Sequence, residues 1–261
     1  MSGHEIHPQA VVATGAKIGA RVRIGAYAIV GEHVELGEGC MLDAHAVVQG
    51  PAVIGRHNVF HPFCSIGGDP QDLKFHGEQT ELFVGDGNTF REFVTVSRGT
   101  VGGGGKTSIG NGSLFMAYSH IAHDCHVGNE TIFANGATLA GHVTVEDFAT
   151  IGAFSPVHQF CRIGRYAYVG ASTVITQDVP PFSRVVTERR TKSYGINTVG
   201  LERKGFSKER IETLQRAYRL LLRAKMNTSQ AVAEMKAKLK TSEDVLELVR
   251  FIETAERGIV K

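Results

Sequence analysis

An apolar residue recurs every six positions through most of the chain's first 175 residues. The series runs Ile6, Val12, Ile18, Ile24, Val30, Leu36, Leu42, Val48, Ile54, Phe60, Ile66, then Val84, Phe90 and Val96, then Ile109 and every sixth residue to Ile175. Hydrophobic residues make up 42% of the chain, so unbroken runs of this length are not chance. A period of six suits neither a 3.6-residue helix nor a simple alternating strand. It suits a short strand plus a corner, repeated, and matches the hexapeptide β-helix signature. Three hexads close one triangular turn, which sets a structural period of 18 residues. Glycine often follows the anchor, as at Gly19, Gly25, Gly31, Gly37, Gly128 and Gly152, and is read as permitting the corner's backbone geometry.

Two interruptions break the series. The register survives from Ile66 to Val84, but Asp72 and Glu78 stand in the anchor phase, so residues 67–83 read as an extruded loop. Between Val96 and Ile109 the phase slips by one residue, and residues 97–108 read as a second loop. Insertions in repeat proteins map to loops, often on the binding side. The repeats are expected to stop at Asp178-Val179-Pro180-Pro181, because two prolines cannot continue a hydrogen-bonded ladder. The expected organisation is a parallel β-helix over 1–181, then a linker and an α-helical C-terminal domain over 182–261. Within the latter, Ile211, Leu214, Tyr218, Leu221 and Leu222 give helical spacing over Ser207–Met226, with Ser207 as N-cap. Further helices are expected to open at Ser229 and at Thr241 or Ser242.

The net charge of +2 is unevenly spread: residues 182–261 carry 18 Lys+Arg against 10 Asp+Glu, and residues 1–181 carry 10 against 16. A basic tail on an acidic body suits an anionic ligand or partner, or else a solvated helical face. Cys40, Cys64, Cys125 and Cys161 form no C-x-x-C pair, so neither a zinc knuckle nor a dithiol site is signalled, and they read as core fillers in a reducing compartment. Neither a signal peptide nor an apolar run of about 18 residues is visible, so the expectation is a cytoplasmic protein without a transmembrane segment or nucleic-acid partner.

Stacked turns place residues 18 apart directly above one another, at about 4.8 Å. His123, Gly141 and Gln159 then form one column, flanked by His142 and His158. Within His120-Ile121-Ala122-His123-Asp124, three readings arise. A metal site is disfavoured because no His-x4-His pair exists. Inert polar corner residues are a second reading. The third is a general base: histidine is the side chain that changes charge near neutral pH, and a neighbouring carboxylate such as Asp124 could orient His123 and support its charged form. Acyl transfer also needs a donor for the oxyanion, and Gly141 can offer its backbone N–H. The run Gly102-Gly103-Gly104-Gly105-Lys106-Thr107 reads as a flexible loop tip, since a phosphate loop would need Gly where Thr100 stands.

Several words are more specific than the hexad: Gln71-Asp72-Leu73-Lys74, Ile121-Ala122-His123-Asp124-Cys125, Leu139-Ala140-Gly141-His142-Val143, Val157-His158-Gln159-Phe160-Cys161, Gln177-Asp178-Val179-Pro180-Pro181, and Gly200-Leu201 with Arg203, Gly205 and Phe206. Over essentially the whole chain they resemble the acyl-carrier-protein-dependent UDP-N-acetylglucosamine O-acyltransferases that begin lipid A synthesis. The resemblance implies a left-handed coil and a homotrimer with sites in clefts between subunits. It implies transfer of a 3-hydroxyacyl chain from acyl carrier protein to the glucosamine 3-hydroxyl of UDP-N-acetylglucosamine, with no cofactor beyond the carrier's phosphopantetheine. In its terms His123 is the general base, Asp124 its partner and Gly141 the oxyanion donor. Asp72 and Lys74 contact substrate, as do His120, His142, His158 and Gln159. Asn197 and Arg203 hold the nucleotide. Lys204 stands where Arg is frequent, keeping charge without bidentate geometry. Ala171 falls at the acyl-length ruler, which implies a chain shorter than the longest the family accepts. The chain departs from the family at Val186-Thr187-Glu188-Arg189-Arg190, where the pantetheine contacts fall, and at Val199, where an acidic residue is common. The competing readings are the sister N-acyltransferase, an acetyl-CoA-dependent hexapeptide transferase and a β-helix scaffold. The first carries an extra domain before its coil, whereas here the hexads begin at Ile6; the last does not need the aligned column.

Overall fold

A computed structural model describes residues 3–187, 193, 195–222, 226–239, 242–255 and 259. The chain forms two compact units, 1–187 and 188–261. In the first, two- to four-residue strands make three parallel sheets of ten, eight and eight strands. Each strand pairs with the one a full turn later, as in Glu5↔Arg23 and Val11↔Ile29, so the 18-residue turn is present. Across the first loop the partners are 30 residues apart (Ser65↔Thr95), and across the second 25 (Thr95↔His120). The loops are shorter than the phase predicts: strands Ser65–Gly68, Glu81–Val84, Thr95–Ser97 and Lys106–Ile109 take up their ends. The hexad anchors point inward. Phe60, Phe90, Phe115 and Phe133 are fully buried and stack at 4.8–5.1 Å between ring centroids. Polar ladders join them inside the coil: the Asn88 side-chain amide donates to Asn58 Oδ1 at 3.0 Å, and Thr131 Oγ1 donates to Ser113 Oγ at 2.9 Å.

Two sequence expectations are corrected. Gly19, Gly25, Gly31, Gly37, Gly128 and Gly152 do not have positive φ; left-handed corner residues lie two positions after the post-anchor position and include Tyr27, His45, Asp124 and His142. The post-anchor glycines serve close approach instead. A Cβ on Gly25 would meet Ala44 N at 2.8 Å, one turn away. The coil also continues beyond the proline pair: Val179 bridges to Ile163, and Arg184–Val185 pairs with Tyr168–Val169. The prolines fall between those pairings, and a missing N–H at a corner interrupts no ladder bond.

The second unit holds α1 (Thr198–Arg203), α2 (Lys208–Leu222), α3 (Thr228–Lys238) and α4 (Glu243–Glu253). Ala217, Leu221, Ala231, Val232, Met235, Val245 and Val249 are its core. Ser207 Oγ accepts from Arg210 N at 3.3 Å, as a cap of α2 should. Helix α3 starts at Asn227, not Ser229, because Asn227 and Gln230 form a reciprocal capping box. Ser242 is the N-cap residue of α4; Thr241, like Glu188–Arg190, lies outside the described residues. Helix α1 had no apolar periodicity to announce it.

The aromatic stack predicts where the coil is least tolerant. Phe90→Ala removes the ring that touches both Phe60 and Phe115 and is expected to lower unfolding free energy by about 3–5 kcal/mol. Denaturant unfolding measures this; a loss under about 1 kcal/mol would show that the stack does not hold the turns together.

Candidate active site

Both loops and the histidine column leave the coil from one corner, the one following the second sheet. Strands Ser65–Gly68, Thr95–Ser97, His120–Ile121, Thr138–Leu139 and Pro156–Val157 all belong to that sheet. After each strand the chain turns sharply. In the last three turns the second corner residue is Asp124, His142 or Phe160, at φ of 60°, 63° and 66°. A non-glycine residue pays about 1–2 kcal/mol for that left-handed conformation. The residues just before them are His123, Gly141 and Gln159, so the column inferred from the 18-residue period is formed.

Asp124 is 2% exposed, and its carboxylate is fully engaged. Oδ1 accepts from Thr100 N at 2.8 Å; Oδ2 accepts from Thr100 Oγ1 at 2.6 Å and pairs with His123 Nδ1 at 2.7 Å. Its own N–H donates to Thr107 Oγ1 at 2.8 Å. Burial pushes the Asp124 carboxyl up, but the Thr100 hydroxyl, the His123 ring and the Thr100 N–H together outweigh burial and hold it below its ordinary value. The carboxylate therefore stays ionised and can only accept, which makes His123 Nδ1 the donor of this pair.

The other side of the His123 ring faces Gly141. A Cβ there would lie 2.6 Å from Cε1 and 2.8 Å from Nε2, so only glycine leaves room for the imidazole. Among the described residues the Gly141 N–H has no acceptor, while the N–H groups of Ala140 and His142 are both paired. His123 and Gly141, the latter with its N–H uncommitted among the described residues, thus line the same space. Gln71, Ser97, His120, Ala122, Ala140, Val157, His158, Val174 and Thr176 also line this groove, of about 430 Å³.

The predicted residues divide. His120, His123, Gly141 and His158 line the groove together. His120 Nδ1 bonds Thr95 Oγ1 at 2.7 Å; burial, then the neighbouring His123, pushes its ring pKa down. His142 lies behind, with Nε2 3.8 Å from Asp124 Oδ2 and its ring stacked 4.6 Å from that of Phe160. Gln159 is exposed beside His158, whose Nδ1 is 3.1 Å from the Gln159 carbonyl oxygen. On the first loop Asp72 Oδ1 accepts from Lys74 N at 3.0 Å, a local turn, and Gln71 is the loop residue that lines the groove. Ala171 is exposed at a different corner and does not line it. Asn197 caps α1, its Oδ1 accepting from Gly200 N at 3.1 Å, while Arg203 and Lys204 end that helix. Sequence reasoning missed Thr100, Gly103 and Thr107 behind Asp124. Their only signal was a glycine run, which reports permitted geometry but not what it packs against.

His123, Asp124 and His142 bring three potential metal ligands within 4.8 Å of one another. The donor set argues against a cation: both lone pairs of Asp124 Oδ2 are taken, and a 2.7 Å separation from His123 Nδ1 is that of a hydrogen bond. Ligand atoms around a zinc ion with bonds of about 2.0–2.1 Å stand farther apart.

Over nearly its whole length the chain is similar to known acyltransferases. Residues 178–260 match the family model described as UDP N-acetylglucosamine O-acyltransferase, domain 2, and residues 33–68 and 106–141 match bacterial transferase hexapeptide repeats. An acyl-(acyl-carrier-protein)–UDP-N-acetylglucosamine O-acyltransferase of Xylella fastidiosa is 49% identical over 98% of this chain and 97% of its own length. The solved UDP-N-acetylglucosamine O-acyltransferase of Moraxella catarrhalis aligns with a TM-score of 0.69 at 40% identity, over 98% of this chain and 99% of its own. The UDP-N-acetylglucosamine acyltransferase of Campylobacter jejuni aligns at 0.68 and 35%, over 98% and 100%.

The buried setting of His120 predicts a ring that resists protonation. A titration of histidine Cε1 protons by NMR should give His120 a midpoint below 6.5. A midpoint at or above that value would show that the groove wall is wet.

Proposed function

The chain belongs to the family of UDP-N-acetylglucosamine O-acyltransferases and is an acyltransferase; on that premise we propose that it moves a 3-hydroxyacyl chain from acyl carrier protein to the glucosamine 3-hydroxyl of UDP-N-acetylglucosamine, the first step of lipid A synthesis. The observation that carries the mechanism is the groove's arrangement: His123 has Asp124 on its Nδ1 side and Gly141 packed against Cε1 and Nε2, and the Gly141 N–H has no acceptor among the described residues.

His123 Nε2 takes the proton of the 3-hydroxyl as its oxygen attacks the thioester carbonyl carbon. The negative charge that develops on the carbonyl oxygen is met by the Gly141 N–H. The imidazolium is balanced by Asp124. Collapse of the tetrahedral intermediate breaks the carbon–sulfur bond, and the departing pantetheine sulfur takes the proton from His123. No cofactor enters these steps; the acyl group arrives on the carrier's phosphopantetheine. Asp72, Lys74, His120, His142, His158 and Gln159 make the substrate contacts in this reading, and Asn197, Arg203 and Lys204 hold the nucleotide. The excess of cations in residues 182–261 suits an acidic carrier. A homotrimer, left-handed winding and a cytoplasmic setting complete the proposal; no described helix is long and apolar enough to cross a membrane.

His123→Ala, assayed with a hydroxyacyl carrier protein and UDP-N-acetylglucosamine, is expected to lower kcat by about 10²–10⁴-fold. Activity within tenfold of wild type would remove His123 as the base. Ala171 makes a second prediction: rates should fall for the longest hydroxyacyl donors, and Ala171→Gly should restore them. Rates that keep rising to the longest donor in the wild type would remove Ala171 as a ruler.

A further inference from the structure

We propose that the short loop at residues 98–105 is a clamp on the back of Asp124, with Thr100 and Gly103 as positioning residues for the His123–Asp124 pair. The proposal rests on the general-base reading above and assigns a role to residues that it leaves unused. Thr100 is 9% exposed and gives Asp124 two donors, its N–H to Oδ1 and its hydroxyl to Oδ2. The hydroxyl reaches the same oxygen that pairs with His123 Nδ1, so it fixes the carboxylate's rotation about its last bond. Gly103, in the single 3-10 turn Val101–Gly103, closes over the carboxylate. A Cβ there would collide with Asp124 Cγ and both carboxylate oxygens. No positive φ is needed at Gly103, so the glycine serves close approach, not a turn.

The loop is itself tied down. Two residues before Thr100, Arg98 is 8% exposed and donates from its N–H to Gly68 O, and from its guanidinium to Gly67 O and Asp69 Oδ1. The clamp is thus braced on the base of the first loop. A carboxylate that turns freely no longer holds the proton on Nδ1, and an imidazole with its proton on Nε2 cannot act as base there.

Two readouts test this, one of which needs no substrate. The ¹⁵N shifts of the His123 ring should show the proton on Nδ1 in wild type and in Thr100→Ser. Thr100→Val and Gly103→Ala should shift population toward Nε2–H. In the transfer assay Thr100→Val is expected to lower kcat about 10- to 100-fold, short of the about 10⁴-fold that follows when a catalytic triad's Asp is replaced by Asn. KM for the UDP-sugar should stay within about twofold, and Thr100→Ser should recover most of kcat. If Thr100→Val does not fold, Gly103→Ala, which leaves both Thr100 donors in place, carries the same expectation. A wild-type tautomer and wild-type kcat in the folded variant would overturn the clamp. A wild type that transfers no acyl chain would overturn the proposed function, while the tautomer measurement would still decide the clamp.

Discussion

The structure depends on the hydrogen-bond ladder between successive turns. A backbone group in one turn finds its partner 18 residues on, and everything inside the coil must then repeat at that interval. The interior obeys: phenylalanine lies over phenylalanine, asparagine over asparagine, and serine is bridged to threonine. A buried amide or hydroxyl stands unpaired unless the next turn offers its complement, and each such ladder satisfies groups that would cost about 1–3 kcal/mol if orphaned. Side chains at the corners face no such demand, so chemistry can be placed there without disturbing the core.

One corner is used this way. The two insertions lengthen two turns, yet the strands on either side still pair, with one local register shift between Ile66 and Gly68, so the loops add surface at little cost to the ladder. Their placement sets the electrostatics of the site. The second loop supplies the donors that keep Asp124 ionised in a buried position, and the first contributes Gln71 to the groove. The His123–Asp124 pair is therefore assembled from three kinds of structure: a column that places His123 against Gly141, a left-handed corner that bears Asp124, and a loop whose donors hold the carboxylate.

Much of this was legible in the sequence. The apolar hexad gives the coil, and the 18-residue turn alone collects His123, Gly141 and Gln159 into one neighbourhood. What stayed hidden was whatever depends on contacts between non-repeating parts. The Gly102–Gly105 run looked like a loop tip because glycine signals backbone freedom, whereas Gly103 is there to let a carboxylate approach. The proline pair looked like an end because the ladder rule applies to strands, and these prolines lie between pairings. In the same way the cap at Asn227 escaped notice in favour of the nearby Ser229, since its strength comes from reciprocal bonding with Gln230.

In the proposed mechanism the turn-to-turn register sets His123 and Gly141 on two sides of one reacting carbon. A crystal structure with the acylated UDP-sugar bound would test it most directly. The ester oxygen is expected within about 3.2 Å of His123 Nε2, with the acyl carbonyl oxygen turned toward the Gly141 N–H. A product seated in the same groove with its ester oxygen out of reach of Nε2, or seated on another corner of the coil, would contradict it.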